Sequence, residues 1–304
     1  MRFERGVAAV TALLIVAVAA SAASLMLAQQ SAMLGQTALV ASRAQAELYG
    51  RAGLDWARGI LAQDARRGDV DSLYEAWAQP IVGLPIERAV VAGAIVDEQG
   101  KFNLNNLVKG TRSSGEDMDT FKRLLESLGL SGDLREAVLD WIDADSDLYG
   151  NAGAEDPYYL SLANPYRAAN RQMVQVEELY RVRGFDAHAV AKLRPYVTAL
   201  PGRTAVNANT ASATVLAAML PELSSAEIAE LIRARQVKPF RSKDDIAQAA
   251  KKANAQSIAA LDVKSAFFSV RVRVAQDDVQ VATEALVQRD ATGAAAVVWR
   301  RAIY

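Results

Sequence analysis

Seven carboxylates fall within residues 136–166 with no lysine or arginine among them: Glu136, Asp140, Asp143, Asp145, Asp147, Glu155 and Asp156. Asp143, Asp145 and Asp147 alternate after a helical-looking segment. Gly150 and Gly153 then let the backbone fold back and bring Glu155 and Asp156 alongside. Oxygen donors at this density suit calcium, which takes about six to eight ligands at ~2.3–2.6 Å, better than magnesium, which keeps more of its waters. The spacing is not that of an EF-hand, because the sixth position counted from Asp143 is Leu148 and the twelfth is Ala154. A solvated acidic turn capping its neighbouring helices is the competing reading, and spacing alone leaves both open. Asp140, one helical turn before Asp143, is either a further donor or a surface residue.

Other chemistry is scarce. The chain has no cysteine, which removes disulfides, thiolate metal sites and a cysteine nucleophile. Its one histidine, His188, sits in the helical-looking FDAHAVAKL with no nucleophile motif beside it, so a helix-surface role is expected. No nucleophile elbow, phosphate loop or histidine-based metal motif accompanies the acids, and the chain is expected not to be an enzyme. Thirty-four basic against 35 acidic residues leave no electrostatic surplus for general nucleic-acid binding.

The N-terminus is the most informative element. No charge occurs between Arg5 and Arg43, and 7–28 is almost wholly apolar, long enough to cross a ~30 Å hydrocarbon core. Arg2 and Arg5 precede it, so the positive-inside tendency keeps the N-terminus cytoplasmic and sends the remainder across the membrane, in a bacterium to the periplasm. Three readings compete: a secretory signal cut within Ala20–Ala23, an uncut signal anchor, and a type IV prepilin-like leader. MRFERG followed by VAAVTALLIVAVAA resembles the N-terminus of pseudopilins. That resemblance implies cleavage between Gly6 and Val7 by a prepilin peptidase, and N-methylation of Val7. Pilins generally carry glutamate at the fifth mature position, and this chain has Thr11. A subunit without that buried charge is expected to stack poorly but to sit first, at the tip.

The elements that must position the acids follow. From 41 to 65 apolar residues such as Leu48, Leu54, Ile60 and Leu61 recur at helical spacing, continuing the anchor helix, with Gly50, Gly53 and Gly59 predicting a bend or an early end. Sheet signals occur twice. AVVAGAIVDEQGKFNLNNL (89–107) predicts a hairpin turning at Asp97-Glu98-Gln99-Gly100. FFSVRVRVA (267–275), VQVATEALVQ (279–288) and AAVVWRRAIY (295–304) predict an antiparallel meander in which Val270, Val272 and Val274 face the core, with Arg271 and Arg273 opposite. Between them 111–265 reads as helical, VEELYRV included.

This order, with the strings EAWAQPIVGLP (75–85), GKFNLNNL (100–107), LDWIDADSD (139–147), GAEDPYY (153–159) and LYRVRGFD (179–186), resembles the general secretion pathway protein K family, the K-type minor pseudopilins of type II secretion systems, over essentially the whole chain. The resemblance implies an α+β pilin-like fold with a long N-terminal helix on a small antiparallel sheet and a large helical insertion. Its expected divisions are a leader (1–6), a transmembrane helix (7–28), a helix continuation with the first hairpin (29–110), the inserted helical domain (111–265) and the terminal meander (266–304). It also implies a tip role in initiating the pseudopilus and exporting folded proteins, partnership with minor pseudopilins of types I, J and H, and contact with inner-membrane lipid and secreted cargo. Calcium becomes the expected structural cofactor, with Asp143, Asp145, Asp147, Glu155 and Asp156 as ligands. The alternative is a periplasmic DNA-binding or uptake protein, because 206–246 resembles a helix-hairpin-helix module. Its connection, Pro221-Glu222-Leu223-Ser224-Ser225, lacks the glycines that bring backbone N–H groups against phosphate, and acids balance Arg233, Arg235, Lys238, Arg241 and Lys243.

Overall fold

The computed structural model describes residues 3–303, with side chains from residue 8 onward. Gly6 and Val7, the expected cleavage site, therefore enter by backbone only. Helix α1 (Phe3–Ala65) has 63 residues, about 95 Å at ~1.5 Å each. Among the described residues it is the one helix long and apolar enough to cross a membrane. Residues 8–41 are exposed throughout, and burial begins where α1 meets the sheet. The glycines do not end it. Gly53 instead allows close approach, since a Cβ there would lie 2.9 Å from Val272 Cγ1.

The sheet has five antiparallel strands in chain order: β1 (Ile81–Ile86), β2 (Ala89–Asp97), β3 (Phe267–Gln276), β4 (Val279–Arg289) and β5 (Ala295–Ile303). Period-two alternation on β3 puts Val270, Val272 and Val274 against Ala46, Leu54, Ala57 and Leu61 of α1, while Arg271 and Arg273 face away. The predicted meander is present. The predicted hairpin over 89–107 is not, because β2 turns back onto β1 and not beyond Gly100. Asp97-Glu98-Gln99-Gly100 forms a buried 3-10 turn instead, with Asp97 accepting from Gln99 N (2.8 Å). Phe102-Asn103 then pairs in parallel with Val197-Thr198, far along the chain.

The helical unit is threaded between β2 and β3, two strands that pair directly, with Asp97 opposite Phe268. Its helices are α2 (Gly115–Ser127), α3 (Leu134–Ile142), α4 (Asp156–Leu160), α5 (Ala187–Leu193), α6 (Ala213–Met219), α7 (Ser225–Val237), α8 (Lys243–Ala249) and α9 (Ala255–Ala259). The segment expected to be helical at VEELYRV is a 3-10 turn, Val176–Arg181. Phe102, Leu104 and Leu107 are buried in this unit's core with Phe121 and Leu139, so the insertion begins just past Asp97, earlier than the 110/111 division read from sequence. Three buried asparagines explain the string GKFNLNNL. Asn105 donates to Met173 O and Leu200 O (both 2.9 Å), Asn103 to Gly202 O (2.9 Å) and Asn106 to Thr204 O (2.8 Å), tying 103–106 to the returning chain. Buried backbone groups there would otherwise lack partners.

Polarity along the rod is fixed by contacts at each end of the sheet. Ser42 and Gln45 meet Asp277 (2.9 Å) and Gln276 (2.8 Å) at the end nearer the apolar half of α1. Arg289 meets Asp64 (3.0 Å) at the other. Asp97 and Phe267, where the insertion leaves and returns, lie at that second end.

Candidate functional site

Helix α3 ends where Asp143 turns to extended backbone, its N–H still bonded to Leu139 O (2.9 Å). Downstream, Gly150 adopts φ +66°, and a side chain there would collide with the Glu136 carboxylate. Gly153 has no room either, since a Cβ would clash with Asp140 Oδ2 and with Tyr149 O (2.6 Å). These glycines let the loop close over α3, where Glu136 Oε2 accepts from Ala152 N (2.9 Å) and Asp140 Oδ1 from Tyr149 N (3.1 Å). Fold-back of this kind was the expectation from sequence.

The closed loop brings Asp143, Asp145 and Glu155 together, with a carboxylate oxygen of each within 4.8 Å of the others. Asp147 and Asp156 are not part of that trio. Asp147 is exposed and donates its N–H to Asp145 Oδ1 (3.0 Å). Asp156 turns to the following segment, accepting from Ala168 N (3.0 Å) and facing Arg167 (3.8 Å). Asp140 is fully buried beneath the loop.

Glu155 is only 1% exposed, yet neither of its carboxylate oxygens has a hydrogen-bond partner, and Asp143 Oδ1 is likewise buried and unpartnered. Burial, reinforced by neighbouring carboxylates, pushes Asp143 and Glu155 each up to about 7. Asp140 rises to about 6, again chiefly through burial, with hydrogen bonds from Tyr149 and Ala154 opposing. Like charges packed without a counter-charge are costly, and an ion-free trio must hold protons or repel itself. Carboxylate oxygens, buried and lacking donors, fit a hard divalent cation, and Asp143, Asp145 and Glu155 could hold one.

Asn170 lay outside the acidic interval and sequence reasoning missed it. It donates from Nδ2 to Asp145 O (3.1 Å). A neutral residue that far along the chain offers no charge pattern to find it by.

The helix-hairpin-helix resemblance fares differently. Ser224 caps α7 through a capping box with Glu227. Arg235 is buried and donates to Ala208 O, Lys243 donates to Ala259 O (3.0 Å), and Arg233 pairs with Glu230. Arg235, Lys243 and Arg233 are thus engaged within the fold, while Lys238 and Arg241 are exposed. His188 is exposed on α5, as expected.

Family models described as type II secretion system, protein K, match residues 100–202 and 206–270. The type II secretion system protein K of Pseudomonas aeruginosa is 36% identical over 255 residues, spanning 80% of this chain and 76% of that one. Its namesake from Aeromonas hydrophila is 30% identical over 310 residues, covering 95% and 94%. A chain in the crystal structure of the GspK-GspI-GspJ complex from the enterotoxigenic Escherichia coli type 2 secretion system shares the fold, with TM-score 0.77 and 23% identity over 86% of this chain and 96% of that one. With full-length relatives at this identity and both halves of the insertion matched, the chain belongs to the type II secretion system protein K family.

Proposed function

We propose that this chain is a minor pseudopilin at the tip of the type II secretion pseudopilus, where it helps to initiate assembly and the export of folded proteins across the outer membrane. The observation that supports this is the end of the sheet from which the helical unit emerges. The apolar stretch of α1 lies at one end of the rod, while the insertion leaves β2 at Asp97 and re-enters at Phe267, at the other. In a filament whose subunits stack through parallel N-terminal helices, a bulky unit there obstructs the next subunit. Thr11 is consistent with the same position, since a neutral hydroxyl bonded to Ala8 O (3.0 Å) cannot neutralise a neighbour's amine as a buried carboxylate would.

Before assembly the apolar half of α1 holds the subunit in the inner membrane, N-terminus cytoplasmic and bulk periplasmic, once prepilin peptidase has cut between Gly6 and Val7 and Val7 is methylated. Packing of membrane helices then drives association with the I- and J-type minor pseudopilins, and with the H-type below them. No reaction is assigned to the chain. Asp143, Asp145 and Glu155 would hold calcium, which would supply the positive charge the loop lacks and keep the insertion rigid.

The test is to excise residues 98–266 and rejoin β2 to β3 by a short turn, which their direct pairing permits. A tip cap predicts that overproduced pseudopili lengthen while secretion falls. Unchanged length and secretion would refute it. Mass analysis of the native N-terminus checks the leader independently, with a methylated Val7 start expected and a start near Ala23 refuting membrane retention.

A further inference from the structure

We infer that Asn170 is a direct oxygen ligand of the acidic-loop cation, through its side-chain Oδ1. The inference rests on the reading of that loop as a calcium site and extends its ligand set to an uncharged residue more than a dozen positions beyond Glu155.

Asn170 is held on both sides of Asp143. Its backbone N–H donates to Trp141 O (3.0 Å) and its Nδ2 to Asp145 O (3.1 Å). A backbone carbonyl can only accept, so the amide orientation is fixed: Nδ2 faces Asp145, and Oδ1 is the atom left over. That Oδ1 is buried without a hydrogen-bond partner. Among the described residues eight buried side-chain polar atoms lack a partner, and four of them are here: Asn170 Oδ1, Asp143 Oδ1 and both oxygens of Glu155. All four are acceptors. Trp141 Nε1 is the one buried donor of this segment that also lacks a partner, and it bonds none of the four; four unpartnered acceptors against one donor call for a cation, not for a rearranged hydrogen-bond network.

The backbone agrees with this. Asn170 has φ +44°, in the left-handed region that a side chain occupies at a cost unless its surroundings fix it. Mixed carboxylate and amide-carbonyl coordination is usual for calcium, and a neutral oxygen completes the shell without adding a further charge to a trio that already repels itself.

The experiment uses the full chain in detergent, with calcium calorimetry and, as a second probe, terbium luminescence lifetimes in H2O and D2O, which count waters bound to the ion. Asn170→Gly keeps the left-handed backbone and removes the oxygen. Asn170→Asp keeps an oxygen and removes the donor to Asp145. A ligand role predicts that the glycine variant binds calcium ~10-fold or more weakly and gains a terbium-bound water, while the aspartate variant stays near wild type in both. Unchanged affinity and water count in the glycine variant overturn the inference. So does an aspartate variant as impaired as the glycine one, because Asn170 would then act only as a clamp on Asp145. If the glycine variant fails to fold, the aspartate variant's affinity and water count decide. Absence of calcium binding by the unaltered chain overturns the calcium reading itself, a failure read on a different sample.

Discussion

Arg289, at the end of β4, reaches Asp71 with its Nη2 2.6 Å from both carboxylate oxygens, and its Nη1 lies 3.0 Å from Asp64 at the end of α1. The guanidinium lies over the Phe268 ring, 4.9 Å from its centroid, and also donates to Ser265 O (2.9 Å). Ser265 in turn donates its N–H to Asp71 (2.8 Å) and its hydroxyl to Asp97 (2.7 Å). One cation thus ties helix, sheet and the root of the insertion together. An insertion rooted this way moves with the rod, as the proposed tip role requires.

Replacing Arg289 with Met should cost ~3–5 kcal/mol of stability at pH 8, because the buried Asp71 and the half-buried Asp64 would be left without their counter-charge. Burial already raises both carboxyls above the usual carboxylate range. Removing the arginine raises them further, so the loss should shrink toward pH 5 as they take up protons. Urea unfolding at the two pH values measures this, and equal losses would show that Arg289 acts through packing on Phe268 alone.

Two glycines of α1 make opposite predictions under the same substitution. Ala is favoured over Gly in a helix by up to ~1 kcal/mol. At Gly59 a Cβ meets nothing within 4 Å, so Gly59→Ala should stabilise the fold. At Gly53 the new methyl group would press on Val272, and overpacking costs ~1–3 kcal/mol, so Gly53→Ala should destabilise it. Thermal unfolding of the pair checks it. Stabilisation by both would mean that the helix lifts from the sheet without penalty.

Glu155→Gln should weaken calcium binding by ~10-fold or more and yet raise the unfolding temperature of the metal-free chain at neutral pH. Both effects have one cause, a buried charge that is useful only when a cation is present. Calorimetry and scanning with and without chelator read the two directions. A variant destabilised in chelator would show that Glu155 holds the loop by some other contact.

Much of the fold was legible because its signals are local. The alternation of valines with Arg271 and Arg273 fixed the face of β3, and the uncharged run from Arg5 to Arg43 marked the anchor helix. The hairpin was misread because Asp97-Glu98-Gln99-Gly100 has turn composition, yet its partners are distant: Thr210 and Asn207 reach Asp97, while Thr198 and Ser269 donate to Glu98. Pairing of Phe102 with Val197 leaves no periodicity in either segment. At the acidic loop, residue type and the two glycines pointed to Asp143, Asp145, Asp147, Glu155 and Asp156 together, and the fold gathers only Asp143, Asp145 and Glu155 of the five. Only tertiary structure distinguishes Glu155 from Asp156, its neighbour, which faces Arg167.

The metal-free chain should grow more stable as the pH is lowered from about 8 to 5. Asp143 and Glu155 are pushed up to about 7 and Asp140 to about 6 in the fold, against unfolded values near 4. Between those limits the folded chain binds more protons than the unfolded one, so stability is fully present below the unfolded values and is lost as pH rises through 6 to 7. Asp97, raised to about 6 by burial, contributes in the same direction. Saturating calcium should flatten the dependence, because it holds the loop carboxylates ionised and competes with their protons. Unfolding temperatures across this range in chelator and in calcium measure both curves. If the chelated chain is instead most stable at pH 8, the loop carboxylates are ionised and tolerated without a metal, and no cation is needed to explain their burial.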